Sequence, residues 1–169
     1  MTQKDAAFRP AKLNKKALAS ALGLSPKDFD PQLDSEYVST GIFNLMVPLR
    51  NRSALGKIMM NMVELRKVIG KNATMAYCFT PGNNGKAFSR GMLPWEPYED
   101  AATGSAAGAL GAYLVKHGKL APGLTLSILQ GHEMGRPSHI EVEVTRAGKR
   151  LVPRVSGAAV RVFEGTIQI

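Results

Sequence analysis

Asp100 and Ser105 are the residues best placed to do chemistry. An acid and a hydroxyl flank the start of an uncharged run from Ala101 to Val115. A helix beginning there would leave the N–H groups of Gly104, Ser105 and Ala106 without intrahelical acceptors. Such a terminus cradles a carboxylate or phosphate. An acid at the mouth of that cradle suits acid/base chemistry on a small anionic substrate. A Gly/Ala-rich helix with Thr or Asp near its N-cap also suits plain packing, so both readings stand at this level.

The elements that must position these residues follow from the rest of the chain. The Ala101–Val115 run is apolar on every face, so its helix should be enclosed by protein. Gly104, Gly108 and Gly111 allow neighbouring backbone to approach closely. The run is shorter than the ~20 residues of a membrane span, and Asp100 and Lys116 bound it. Upstream, residues 1–12 read as a loose lead-in, Asn14 to Leu22 as a short helix, and Ser25-Pro26 as the start of a brief turn. Glu36 to Leu49 reads as extended chain. Ser53 is placed to cap an amphipathic helix running to Ile69 and closed by Gly70. Strands are expected at Ala73–Thr80 and Ala87–Leu93, with Pro94–Pro97 leading to the carboxylates. After the buried helix come Leu124–Gln130, His139–Thr145, Arg150–Val155, Ala158–Phe163 and Gly165–Ile169, all expected as strands. The fold class is α+β, with a mostly antiparallel sheet curled around one central buried helix.

Composition narrows the function. A chain of 169 residues is expected to form a single domain over 1–169. Cys78 is the lone cysteine, which leaves no intrachain disulfide and no thiolate cluster. It sits in a strand-like stretch and is expected to be buried. His117, His132 and His139 lack ligand spacing with acidic or sulfur partners, so no metal is expected. The net charge of +9 is spread along the chain, with Lys12, Lys15 and Lys16 the densest patch. Basic clusters interleaved with aromatics are absent, so no nucleic-acid partner is expected. Met1–Pro10 lacks the apolar core of a signal peptide, which points to the cytoplasm and to no membrane association.

The residues then resemble a known family. Glu99-Asp100-x-Ala102-Thr103-Gly104-Ser105-Ala106 looks like the acidic motif of the phenazine-biosynthesis PhzF-like family. The Gly131-x-x-Met134-Gly135-Arg136-Pro137-Ser138 turn and Val155-Ser156-Gly157 match in the same order. Upstream, Val38-Ser39-Thr40-Gly41, Val47-Pro48-Leu49 and Arg90 fit as well. Ala101 departs from the pattern, where the family usually has proline.

The resemblance implies a diaminopimelate epimerase-like fold of two similar halves, of which this chain matches the second. Within that half Asp100 and Ser105 would be catalytic, with Asp100 hydrogen-bonding or protonating the substrate. Thr103, Gly104, Ser105 and Arg90 would bind it. The family's first-half glutamate beside a Gly-Asn-Pro motif has no counterpart here. The implied protein is half of a cofactor-independent isomerase or epimerase acting on a small carboxylate. It would pair with a separate N-terminal-half polypeptide or a second copy of itself. The alternative is a non-catalytic structural or small-anion-binding homodimer of the same fold.

Overall fold

Short apolar runs closed by glycine or proline form the strands of the computed structural model, which describes residues 1–96 and 98–168. They are β1 (Ala7–Pro10), β2 (Glu36–Ser39), β3 (Phe43–Pro48), β4 (Ala76–Pro81), β5 (Lys86–Met92), β6 (Glu99–Asp100), β7 (Thr125–Gln130), β8 (Ser138–Ala147) and β9 (Arg150–Ser156). Their order in one sheet is β1-β2-β3-β4-β5-β7-β8-β9, with β6 paired to β5. The β3–β4 and β5–β7 pairs are parallel and the others antiparallel. The helices are α1 (Lys15–Ala21), α2 (Arg52–Gly56), α3 (Met62–Ile69) and α4 (Gly104–Lys116).

Strand alternation sorts the side chains into two cores. Met46, Tyr77, Phe79, Ile128 and Val142 face α4, whereas Leu45, Val47, Ala76 and Cys78 face α1, α2 and α3. Helix α4 touches β2 and β3 as well as β8 and β9. Strands from opposite parts of the order can share one helix only if the sheet curls around it. The α+β class and the enclosed central helix therefore match the reading of the sequence. From Ala106 to Val115 every residue of α4 is buried. Gly111 permits this, because a Cβ there would lie 2.6 Å from Val142 Cγ1.

Three local expectations are corrected. The lead-in is not loose: β1 pairs with β2, and Gln3 N–H donates to the Pro153 carbonyl at 2.9 Å. The expected helix from Ser53 to Ile69 is two helices, capped by Asn51 and Asn61 rather than by Ser53. Between them the chain leaves the helical path, and Met59 and Asn61 N–H groups donate to the carbonyls of Leu22 and Ala21. By contrast, the central helix begins at Gly104, in keeping with the free N–H groups expected at Gly104, Ser105 and Ala106, and Asp100 precedes it in β6 against Gly91. Finally, Ala158–Phe163 and the described part of Gly165–Ile169 form no strand, and Val160, Val162, Phe163 and Ile167 are exposed. Pro97 and Ile169 lie outside the described residues.

Candidate active site

Asp100, Thr103, Gly104 and Ser105 come together at the N-terminal end of α4. Thr103 occupies the N-cap position but makes no capping bond with its side chain. Its hydroxyl donates instead to Asp100 Oδ2 at 2.8 Å. The first bond of the helix runs from Ala107 N–H to the Thr103 carbonyl. The N–H groups of Gly104, Ser105 and Ala106 therefore have no acceptor among the described residues. The Ser105 hydroxyl is half-buried and likewise without a partner among them. Beside Gly104 opens a cleft of about 640 Å³ whose walls include Ala102, Ile140, Val155, Ser156 and Gly157.

The carbonyls of the first turn are tied from two distant segments. Gln3 Nε2 donates to the Gly104 carbonyl at 2.9 Å, and Thr40 Oγ1 to the Ser105 carbonyl at 3.1 Å. Holding a peptide's carbonyl also holds the N–H on its other end, so Thr40 steadies the Ala106 N–H. Such anchoring matters for donors that must meet an anion without rearranging.

Beneath Asp100 lies a buried polar network. Gln130 is fully buried, and its Nε2 donates to the Asp100 carbonyl at 2.8 Å and to Thr103 Oγ1 at 2.9 Å. Its Oε1 accepts from Thr103 N–H at 3.1 Å and from the Tyr77 hydroxyl at 2.8 Å. Ser89 Oγ donates to the Tyr77 hydroxyl at 2.9 Å. Burial pushes the Tyr77 hydroxyl far above the ordinary tyrosine range; the Ser89 bond lowers it slightly and the Asp100 charge raises it. Gly91 leaves space for the network, since a Cβ there would sit 3.1 Å from Thr103 Oγ1 and 3.2 Å from Gln130 Nε2. At Gly131 the backbone has φ +76°, and a Cβ would lie 2.3 Å from the Arg136 carbonyl. Only glycine fits that turn.

A family model of phenazine biosynthesis-like proteins matches residues 1–165. The chain belongs to this family. An uncharacterised isomerase of Mesorhizobium japonicum is 34% identical over 164 residues, covering 90% of this chain and 54% of that protein. The trans-2,3-dihydro-3-hydroxyanthranilate isomerase of Pseudomonas aeruginosa is 46% identical over 68 residues, covering 40% of this chain and 24% of that protein. The crystal structure of a Bacillus anthracis phenazine biosynthesis protein of the PhzF family superposes with a TM-score of 0.86 at 25% identity. That match covers 100% of this chain and 60% of the other. The chain thus spans about half the length of the curated relatives it matches along most of its own length.

Two residues of this phenazine biosynthesis-like chain stand differently from the sequence expectation. Arg90 lies on the sheet face away from α4. Its Nη1 donates to the carbonyls of Leu55 and Ile58, and its Nη2 pairs with Glu99 Oε2 at 2.7 Å. It braces α2 and β6 and does not converge with the α4 terminus. Thr103 is 7% exposed, and both its N–H and its hydroxyl are engaged inside the protein. It supports Asp100 rather than offering a donor to a ligand. Glu99 and Asp100 are neighbours in β6, so their carboxylates point to opposite faces. Cys78 is buried, as expected, and burial pushes its thiol up to about 12.

Gln130, Tyr77 and Ser89 carry no mark in the motif reading. A signal was present in the strand alternation: Leu126, Ile128 and Gln130 share the inward face of β7. A glutamine at an inward strand position must find partners.

Proposed function

We propose that this chain is the acid-bearing half of a cofactor-independent isomerase that moves a proton on a small carboxylate substrate. A complementary half, either a separate polypeptide or a second copy of this chain, completes the site. The observation that carries this reading is the grouping, on one helix terminus, of Asp100 with the Ser105 hydroxyl and three N–H groups that have no partner among the described residues. The N–H groups of Gly104, Ser105 and Ala106 hold the substrate carboxylate, helped by the positive end of the α4 dipole. The Ser105 hydroxyl adds a donor. Asp100 exchanges the proton with the reacting carbon or its neighbour. Family membership and the isomerase names of its relatives support the reaction class.

A proton shift needs a second group on the opposite face of the substrate. The nearest carboxylate, Glu99, is locked to Arg90 on the other side of the sheet. The second group therefore belongs to the complementary half. The same fact favours the alternative reading, a homodimer that binds small carboxylates without turnover.

The test follows solvent deuterium into substrate with the assembled protein, using trans-2,3-dihydro-3-hydroxyanthranilate as the first probe. Asp100→Asn should lower the exchange rate about a hundred- to ten-thousand-fold with native mass unchanged. Equal rates would refute the role of Asp100. No exchange in the native protein, across a panel of small carboxylates that it binds, would leave the binding homodimer as the account.

A further inference from the structure

The carboxamide of Gln130 sits at the junction of the buried network, and its orientation is dictated by the groups around it. Thr103 N–H can only donate, so the amide atom it meets must be Oε1. The Asp100 carbonyl can only accept, so the atom it meets must be Nε2. A flipped amide would set like against like at both ends. Nε2 then also donates to Thr103 Oγ1, which occupies a lone pair of that hydroxyl. The hydroxyl hydrogen is left to point at Asp100 Oδ2, 2.8 Å away. From the other side, Tyr77 and Ser89 extend the same donor direction. Burial keeps the Tyr77 hydroxyl protonated through the whole working pH range, so the direction cannot reverse there.

We propose that Gln130 is the positioning residue of the site: by committing the Thr103 hydroxyl to Asp100, it fixes the aim of the acid while leaving the Gly104–Ala106 N–H groups free for the ligand. This rests on the proposed proton-transfer role of Asp100. A side chain that must exchange a proton has to be held at a fixed angle to the bound substrate, and a small error in that angle is costly. Gln130 is 0% exposed, Ser89 0% and Thr103 7%. In such surroundings a half-made network is expensive, so its members hold one arrangement. The Asp100 carboxylate gains one strong side-chain donor from this chain of bonds, plus a longer contact from Ala102 N–H at 3.3 Å. The ligand cradle gains nothing directly, because Gly104, Ser105 and Ala106 N–H groups take no part in the network. Aim and affinity are therefore separable in this site, and that separation is what distinguishes positioning from simple support of the fold.

The experiment compares Gln130→Glu, which keeps the shape but has no NH₂ to donate to the Asp100 carbonyl and Thr103 Oγ1 together, with Thr103→Val and Thr103→Ser in the assembled enzyme. Gln130→Glu and Thr103→Val should lower kcat about 10- to 100-fold while KM stays within about threefold. Thr103→Ser, which restores the hydroxyl, should recover most of kcat. Equal effects on kcat and KM, or a serine variant as poor as the valine variant, would overturn the proposal. If Gln130→Glu does not fold, the valine–serine pair still decides it. A second readout needs no turnover. By NMR the side-chain NH₂ of Gln130 and the Thr103 hydroxyl proton should exchange slowly with solvent in the native chain, and the hydroxyl proton should exchange fast in Gln130→Glu. A Gln130 amide exchanging as fast as that of the exposed Gln32 would refute the positioning role. A native protein without turnover but with these protected protons would instead count against the proton-transfer reading alone.

Discussion

The two ends of α4 each hold a carboxylate, and the partners differ in kind. At the C-terminal end Glu36 of β2 is 8% exposed and bonded at both oxygens. Lys116 meets Oε1, and His117 Nε2 lies 3.1 Å from Oε2. The His117 ring packs on Tyr113 at 4.2 Å, and the Tyr113 hydroxyl donates to the Asp34 carbonyl at 2.6 Å. At the N-terminal end Asp100 is gripped from below by Thr103, while three backbone donors beside it have no partner among the described residues. The C-terminal cluster answers charge with charge and holds helix to sheet. The N-terminal cluster has donors to spare. Unsatisfied donors weaken a folded structure and equip it to bind, so on the proposed reading the difference separates a structural end from a working one.

Exchanging the two carboxylates' roles by mutation gives the largest contrast. Asp100→Asn should cut turnover about a hundred- to ten-thousand-fold with little loss of stability. Glu36→Gln should do the reverse, leaving turnover within about threefold and lowering stability by about 1–2 kcal/mol, a value reduced because Lys116 is partly exposed. Paired kinetics and urea unfolding on both variants check this, and a Glu36 variant losing turnover at full stability would erase the distinction.

A feature shared by both ends should show in alkaline solution. Burial raises the hydroxyl of Tyr77 near one end and of Tyr113 at the other, and lifts the Cys78 thiol to about 12 from 9.0. Because the unfolded chain ionises first as pH rises, the stability Cys78 lends is full below about pH 9 and is lost between there and about 12, whereas the loss from the two tyrosines begins only near pH 10 and runs on beyond that window. For Cys78 the slope approaches about 1.4 kcal/mol per pH unit across that window. Urea midpoints measured from pH 7 to pH 11 should fall above pH 9; a flat profile would contradict the burial.

Between the two ends, the middle of α4 is held by close approach. Gly111→Ala would set its methyl 2.6 Å from Val142 Cγ1 and 3.0 Å from Val144 Cγ2, on stiff branched side chains. The expected loss is about 1–3 kcal/mol. Gly108→Ala meets only the end of the flexible Gln3 side chain, which can move at the loss of its bond to the Gly104 carbonyl, and should cost less. The reverse order in thermal unfolding would show that β8 is not packed against α4 as described. The smallest contrast lies outside α4. Asn51→Ala should cost about 1 kcal/mol and Ser53→Ala within about 0.5, because Asn51 Oδ1 accepts from Ala54 N–H. Denaturant curves for both variants check this.

The proposed working end was more legible in sequence than the structural one. An acid ahead of a long uncharged run, with a hydroxyl inside it, marks α4 and its terminus directly. Glu36, Lys116 and His117 meet across a long sequence separation, and no local pattern announces that meeting. The same limit explains the rest. Residues 1–12 read as loose because the strands they pair with, β2 and β9, lie elsewhere in the chain. The break between α2 and α3 keeps the apolar spacing of a single helix, since Ile58 stays buried in the break. Its cause is the contact with Leu22 and Ala21, which is tertiary. After Gly157 the β-branched residues have strand propensity but no neighbouring strand to bond. Gln130, a polar residue on an inward strand face, was the sequence signal for the buried network beneath Asp100.

A titration of the isotopically labelled chain, in its native assembly, with benzoate followed by NMR tests the central claim most directly. Binding of a small carboxylate should move the amide resonances of Gly104, Ser105 and Ala106 and leave those of Lys116, His117 and Gly118 in place. Shifts centred on the C-terminal end, or none at either end at saturating benzoate, would contradict the assignment of the α4 N-terminus as the carboxylate site.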